Sequence, residues 1–438
     1  MVQPLSSARE RTGWYFYDWA NSAFSTTVVT LLLGPYLNSL AKAAADAQGL
    51  VHPFGIPIYA GSYWGYLLSL SVMSQVVFLP LAGAFADASG RKKELLALFA
   101  YTGAAATVAL FFVRGGAYLP GGLLFLVANL AFGASVVVYN SFLPDIASEQ
   151  ERDDVSSKGW GIGYLGGGLL LAINLAIAAK ASALGLTEEQ AMRINLSSAG
   201  VWWGVFTLLP IAWLRNRAPA QGRAGQASFA SAFRRLGGTL RDMRRYPQAL
   251  LFLLAYLLYN DAIQAVIALS SQFGYDELKI PIATLSLAIL MVQFVGFFGA
   301  IAFNWIAARI GAKHAILLAL AIWTGVLVNI YVAVRTTAQF FVMAAVVAIV
   351  LGGSQALSRS LFSLMIPKSK EAEYFGLYEI SDKGTSWLAP LLFAVALQQT
   401  HSYRMAILSL VVFFVLGFIV LMRVDVRRAA MDAGNEPT

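Results

Sequence analysis

The chain has 438 residues, a formal net charge of +8 and no cysteine, with 58% hydrophobic and 12% charged types. Soluble domains carry roughly 25% charged residues. Half that share excludes a soluble enzyme, a disordered chain and a disulfide-stapled secreted domain. What remains is an all-α integral membrane protein. Its basic residues fall in short clusters between apolar runs, which are topology signals and argue against a nucleic-acid partner.

A helix crosses a bilayer with about 20 apolar residues. Twelve such runs follow in chain order: 14–40, 59–84, 94–113, 120–144, 156–179, 194–214, 248–271, 281–305, 314–334, 338–364, 376–398 and 403–422. The first residues are polar and lead into an apolar run with no cleavage-like site, so no removable leader is expected. With the N-terminus inside, 22 lysines and arginines lie in inner segments and 7 in outer ones. That bias predicts two cytoplasmic termini.

The longest connection, 215–247, carries eight arginines and reads as a basic amphipathic cytoplasmic linker. It divides an N-terminal six-helix half, 1–214, from a C-terminal six-helix half, 248–422. A cytoplasmic tail follows over 423–438.

The halves repeat. Ser156-Ser-Lys158-Gly159 matches Ser381-Asp382-Lys383-Gly384 at an offset of 225, and Ser141-Phe-Leu-Pro144 matches Leu364-Met-Ile-Pro367 at 223. Gly90 matches Gly311 at 221, and Tyr17-Asp18 matches Tyr259-Asn260 at 242. The loop after the second run reads Gly83, Asp87, Gly90, Arg91, Lys92, Lys93. A glycine there lets helices approach, an acid sits at a helix end, and cations stay at the headgroups. The second copy keeps Arg309, Gly311 and Lys313 but has Ala308 in place of the acid.

Parallel six-span repeats and this loop resemble the major facilitator superfamily. Gly13-Trp-Tyr-Phe-Tyr-Asp18-Trp-Ala-Asn21-Ser22-Ala-Phe24, Tyr139-Asn140-Ser-Phe-Leu-Pro144, Ser156 through Gly167 and Phe375-Gly-Leu-Tyr378 narrow the resemblance. They are similar to bacterial members related to the yeast vacuolar amino-acid effluxer. The resemblance implies two pseudo-symmetric six-helix halves that rock to give alternating access. It also implies a bacterial inner membrane and an amino-acid-like cargo.

Ionisable groups inside spans mark functional cavities by default. Asp18, Asn21, Ser22 and Ser25 make a polar stripe on span one, with Trp14 one turn earlier. Asn260, Asp261 and Gln264 make a patch on span seven. In the resembled architecture spans one and seven gate together, so the patches are expected to face a common path. The alternative for Asp18 is a helix cap or a surface ion pair.

Tyr17, Asp18, Asn21, Asn140, Asn260, Asp261 and Gln264 are the expected solute site. Arg359 has the planar fork that suits a substrate carboxylate. Asp18, Asp261 or Asp382 is the candidate carrier of a coupling proton, with sodium as the other ion. Glu379, Asp382 and Lys383 on span eleven, with Lys158 on span five, form an expected gating set whose opposite charges neutralise one another.

Gly159, Gly163 and Gly167 read as a close helix-packing face. Asn195-Leu-Ser197 fits a glycosylation acceptor by letter. His52, His314 and His401 lack metal-ligand spacing, and no ATP-binding loop is present, so no cofactor or metal is expected. The expected protein is a monomeric secondary transporter of a small polar solute, in contact with membrane lipids. A lipid flippase on the same fold is the alternative, and a non-transporting receptor is third.

Overall fold

The computed structural model describes residues 6–147, 152–217, 241–366 and 386–435, with Gly238 and Tyr378. Among them the chain is helical apart from one short hairpin. Eight helices are long and apolar enough to cross a bilayer, or nine if Ile282–Gly296 and Ile301–Ile310 form one span. Chain contacts divide the molecule into two compact units. The first holds Met1–Ala60 and Ser74–Phe233, and the second holds Gly61–Met73 and Arg234–Thr438.

In the first unit, α1 (Ala8–Ala23) runs into a π-helical segment, Phe24–Leu32, and then α2, Leu33–Ala43. Ser7 caps α1, its hydroxyl accepting the Glu10 amide at 3.2 Å. Asp18 therefore lies well inside the helix and is not its cap. The π segment widens the turn from Phe24 onward. The 3.6-residue stripe read from Asp18 to Ser25 thus holds through Ser22 and loses its register beyond Ala23.

A hairpin pairs β1 (Leu50–Val51) with β2 (Ile58–Tyr59). Asp46 Oδ1 accepts the Gln48 and Leu50 amides, and its Oδ2 meets His52 Nε2 at 2.9 Å. The His52 hydrogen bond, then the Leu50 amide, hold the Asp46 carboxyl below its ordinary range.

The unit continues with α3 (Tyr63–Ser89), α4 (Lys92–Ala109), α5 (Tyr118–Asn140), α6 (Leu143–Ile146), α7 (Arg152–Ala179) and α8 (Glu188–Trp213). Thr187 and Gln190 form a reciprocal capping box at the start of α8. Where α1 begins, the chain is stapled by polar contacts. Buried Glu10 takes a two-pronged ion pair from Arg217 at 2.9 and 3.2 Å. Arg11 and Ser6 donate to the Ile146 carbonyl.

In the second unit α9 is Pro247–Asp276, α10 Ile282–Ile310, α11 Ala312–Val332 and α12 Thr337–Leu364. Then follow α13 (Leu388–Thr400), α14 (Tyr403–Ser409), α15 (Val411–Met422) and α16 (Val426–Asp432). The first turns of α3 belong to this unit. Trp64 donates to the Ala268 carbonyl, Gln272 to the Gly61 carbonyl and Ser69 to the Trp387 carbonyl. The tail folds back, and Asn435 donates to the Leu364 and Ile366 carbonyls, both at 2.9 Å. It thereby satisfies the carbonyls that the end of α12 leaves open.

An arginine braces each unit at the start of its last long helix. Arg193 donates to the Phe111 carbonyl. Arg404 donates to the Ile330 and Val334 carbonyls and meets Glu277 Oε1 at 2.6 Å. The two acids differ in value. A tight charge-assisted bond is worth about 1.5–3 kcal/mol, so Glu277→Ala is expected to cost on the order of 2 kcal/mol. Glu189 lies 3.9 Å from Arg193 with its side chain 50% exposed. Glu189→Ala is expected to cost under about 1 kcal/mol. Thermal unfolding of the two variants measures the contrast.

Candidate functional site

In the first unit the chemistry gathers where α1 crosses α5 and α7. Tyr139, near the end of α5, donates its hydroxyl to Asp18 Oδ2 at 2.7 Å. Trp14 stacks on the Tyr139 ring with centroids 4.4 Å apart and donates its indole N–H to the Tyr139 carbonyl. Tyr17 packs on the same ring at 5.0 Å. Tyr17 is fully buried, Asn21 is buried and Asp18 is half-buried. Asn140 is exposed at the last residue of α5. Tyr139 and Trp14 thus hold the acid, although the sequence reading placed neither in the solute site.

The glycines of α7 permit this crossing. A Cβ at Gly159 would stand 2.6 Å from the Trp14 ring and 2.8 Å from Asp18 Oδ2. At Gly163 it would stand 2.8 Å from Ser22 Oγ, and at Gly167 3.1 Å from Thr26 Oγ1. The spacing-four face is a helix contact, as expected from the sequence. Gly166 adds to it, against the backbone of Trp19. Lys158 is exposed on the turn before.

Deeper in the unit, Asn174, Asn195, Ser198 and Thr27 form a polar cluster. Asn195 Nδ2 donates to the Asn174 carbonyl, Ser198 Oγ to Asn174 Oδ1, and Asn174 Nδ2 to Thr27 Oγ1. Asn195 is 1% exposed. The glycosylation sequon is therefore closed to modification in the folded chain.

In the second unit, α9 presents Tyr259, Asn260 and Asp261. Tyr259 shares a hydrogen bond with Ser358 of α12, and Asn260 Oδ1 accepts from Gln355 Nε2 at 2.8 Å. Asp261 is 1% exposed, and its Oδ2 accepts the Ala389 amide in the first turn of α13 at 3.0 Å. Its Oδ1 has no hydrogen-bond partner among the described residues. A carboxylate suits a helix N-terminus, where amides are open and the dipole is positive. Asp261 serves α13 from another helix.

Gln264 is half-buried one turn further along α9. Arg359 is exposed on α12 beside the buried Ser358. Ser358 and Gln355 escaped the sequence reading because small polar residues in an apolar span carry no signal until their neighbours are known. Glu379, Asp382 and Lys383 lie outside the described residues.

The loop after α3 is a brace. Gly90 has a φ of +63°, a left-handed turn that glycine adopts freely. Lys92 Nζ reaches the Ser141 carbonyl at 2.7 Å and Asp145 Oδ2 at 2.8 Å. A Cβ at Gly83 would touch Val137 at 3.1 Å. Arg91 precedes α4 as its cap residue, and the Asp87 side chain is outside the described residues.

Apolar spans and acids held inside helices fit a multi-pass membrane transporter of the major facilitator type. Solved structures agree on the fold. The nucleoside transporter NupG superposes with a TM-score of 0.66 at 14% identity, over 94% of this chain and 97% of that one. A D-xylose-proton symporter gives 0.67 at 11% identity, over 95% and 96%. The chain belongs to the family described as vacuole effluxer Atg22 like, whose model matches residues 6–434. It is 31% identical to the MFS-type transporter YxiO of Bacillus subtilis over 94% of each chain. It is 27% identical to autophagy-related protein 22 of Pyricularia oryzae, over 98% of this chain and 78% of that one.

Proposed function

We propose that this protein is a twelve-span secondary transporter that exports an amino-acid-like solute across a bacterial inner membrane, with both termini cytoplasmic. The observation that carries the reading is Asp261. It is 1% exposed, has one carboxylate oxygen with no hydrogen-bond partner among the described residues, and lies in an apolar helix. Such a group is expensive in a membrane and is kept for work. Asp18, held by Tyr139 and lined by glycines, is a second acid inside the first helix of the other unit.

In this reading Asp261 carries the coupling proton. Arg359 receives the solute carboxylate through its planar guanidinium. Asn21, Asn140, Asn260 and Gln264 supply neutral polar contacts. The two six-helix halves alternate access by rocking, with Glu379, Asp382, Lys383 and Lys158 as the gate and the Lys92 brace fixing one end of the first half. The protein acts as a monomer.

The test is a thermal-shift screen of purified protein against amino acids, small peptides and lipid headgroups at two pH values. A ligand that binds the folded state raises the melting temperature by mass action. One amino-acid class is expected to give a pH-dependent shift that Arg359→Lys weakens. Stabilisation by an amphiphile alone, with no polar solute active, replaces this reading with the flippase.

A further inference from the structure

The two units carry matching turns between their second and third long helices, but the matching charges differ. In the first unit the turn has acids of its own. Lys92 pairs with Asp145, and Asn216 Nδ2 donates to Glu94 at 2.7 Å. In the second unit both acids of the pattern are gone. Ala308 stands where the first copy has Asp87, at the offset of 221 shared by Gly90 and Gly311. Lys368 stands where it has Asp145, at the offset of 223 shared by Pro144 and Pro367.

One cation of the second turn ties it to the end of the unit. Lys313 Nζ donates to the Met422 and Val424 carbonyls, both at 2.8 Å. That clasp sets the turn between α10 and α11 against the junction of α15 and α16. Arg423 sits between the two carbonyls in sequence, and Arg427 follows on α16. Both are exposed, as is Arg309 in the last turn of α10. Arg309, Arg423 and Arg427 have no acid partner among the described residues. The nearby acid Asp425 is engaged with the Arg428 amide.

Beside the cations lies an apolar face. Arg309 stacks on the Trp305 ring at 3.6 Å, which leaves the in-plane N–H groups of its guanidinium directed outward. Trp305 is 57% exposed, and Ile301, one turn away, is 56% exposed. A corner with guanidinium groups at one end and an aromatic-aliphatic strip along the adjoining helix has the two halves of phospholipid chemistry. A phosphate fits the arginines, and an acyl chain fits the strip.

We infer that an anionic phospholipid of the cytoplasmic leaflet binds this corner, its phosphate on Arg309 and Arg423 and its chain along Trp305 and Ile301, replacing the acids that the second turn lacks. The leaflet rests on the proposed topology. The lipid chemistry does not, because it is read in mixed micelles.

The experiment measures the melting temperature of the full chain in detergent by tryptophan fluorescence. Phosphatidylglycerol, phosphatidylcholine or inorganic phosphate is added. Phosphatidylglycerol is expected to raise the temperature more than an equal amount of phosphatidylcholine, and inorganic phosphate is expected to leave it unchanged. The increment is expected to vanish in the Arg309→Gln, Arg423→Gln double variant and to persist in Lys180→Gln. Ala308→Asp is the second probe. It deletes no cation, and its site is exposed. Supplying the missing acid is expected to abolish the phosphatidylglycerol increment. Equal effects of the two lipids, an increment retained in both the double variant and Ala308→Asp, or full reproduction by inorganic phosphate overturns the lipid site. Impermeant maleimide labelling of a cysteine placed at Asp432 or at Ser402, in a chain with no cysteine of its own, reads the topology separately.

Discussion

Asp261→Asn is expected to leave the fold standing and to abolish the pH dependence of transport. Asparagine keeps an oxygen for the Ala389 amide, so the start of α13 retains its partner. What disappears is a carboxyl that can exchange a proton. An uncompensated buried charge costs several kcal/mol, so its neutral isostere is expected to melt at the same temperature or higher. Asp261→Ala provides the contrast. It strips the acceptor from a buried amide, which costs about 1–3 kcal/mol, and is expected to lower the melting temperature as well as transport. If Asp261→Asn transports at the normal rate and with the normal pH profile, Asp261 is not the proton carrier.

The second large effect is steric. At Gly166 a Cβ would stand 2.5 Å from the Trp19 carbonyl oxygen and 2.8 Å from its Cα. These are backbone atoms, so relief requires α1 and α7 to separate. Overpacking of this kind typically costs 1–3 kcal/mol, and Gly166→Ala is expected to cost roughly 3 kcal/mol, near the top of that range. It also moves the face that carries Asp18. Gly168, two residues along the same helix, has nothing within 4 Å of a Cβ. Gly168→Ala is expected to be neutral or mildly stabilising, because alanine is the better helix former by about 1 kcal/mol. Thermal unfolding of the pair separates helix propensity from helix contact. Equal melting temperatures would sink the packing account.

Much of this was legible in the residues, for identifiable reasons. Apolar runs near bilayer length announce themselves one at a time, and eight helices, or nine with the bent pair, are long and apolar enough to span among the described residues. The glycine face of α7 was readable because spacing four is a property of one helix. Membership of the family was readable because the segment around Asp18 resembles that of known members. The partners of the acids were not readable. That Tyr139 would meet Asp18, or the Ala389 amide meet Asp261, depends on how separate helices rotate against each other. An apolar span with low periodicity leaves that rotation open. The π segment was invisible for a related reason. Phe24 to Leu32 is an ordinary apolar sequence, and only its hydrogen bonding departs from the α-helix. The sequon failed because Asn195-Leu-Ser197 satisfies the letters while burial decides accessibility.

Resemblance to an effluxer family does not fix the cargo. The two units explain why a transporter is the natural reading. Each places a polar group of its first long helix against a tyrosine or serine from its fourth: Asp18 with Tyr139, and Tyr259 with Ser358.

The most direct measurement is efflux of labelled amino acids from proteoliposomes under an imposed pH gradient, with the wild type and Asp261→Asn run side by side. The account predicts movement of one amino-acid class that follows the gradient in the wild type and ignores it in the variant. Efflux of no amino acid at any gradient, together with movement of a labelled phospholipid between leaflets, would contradict it.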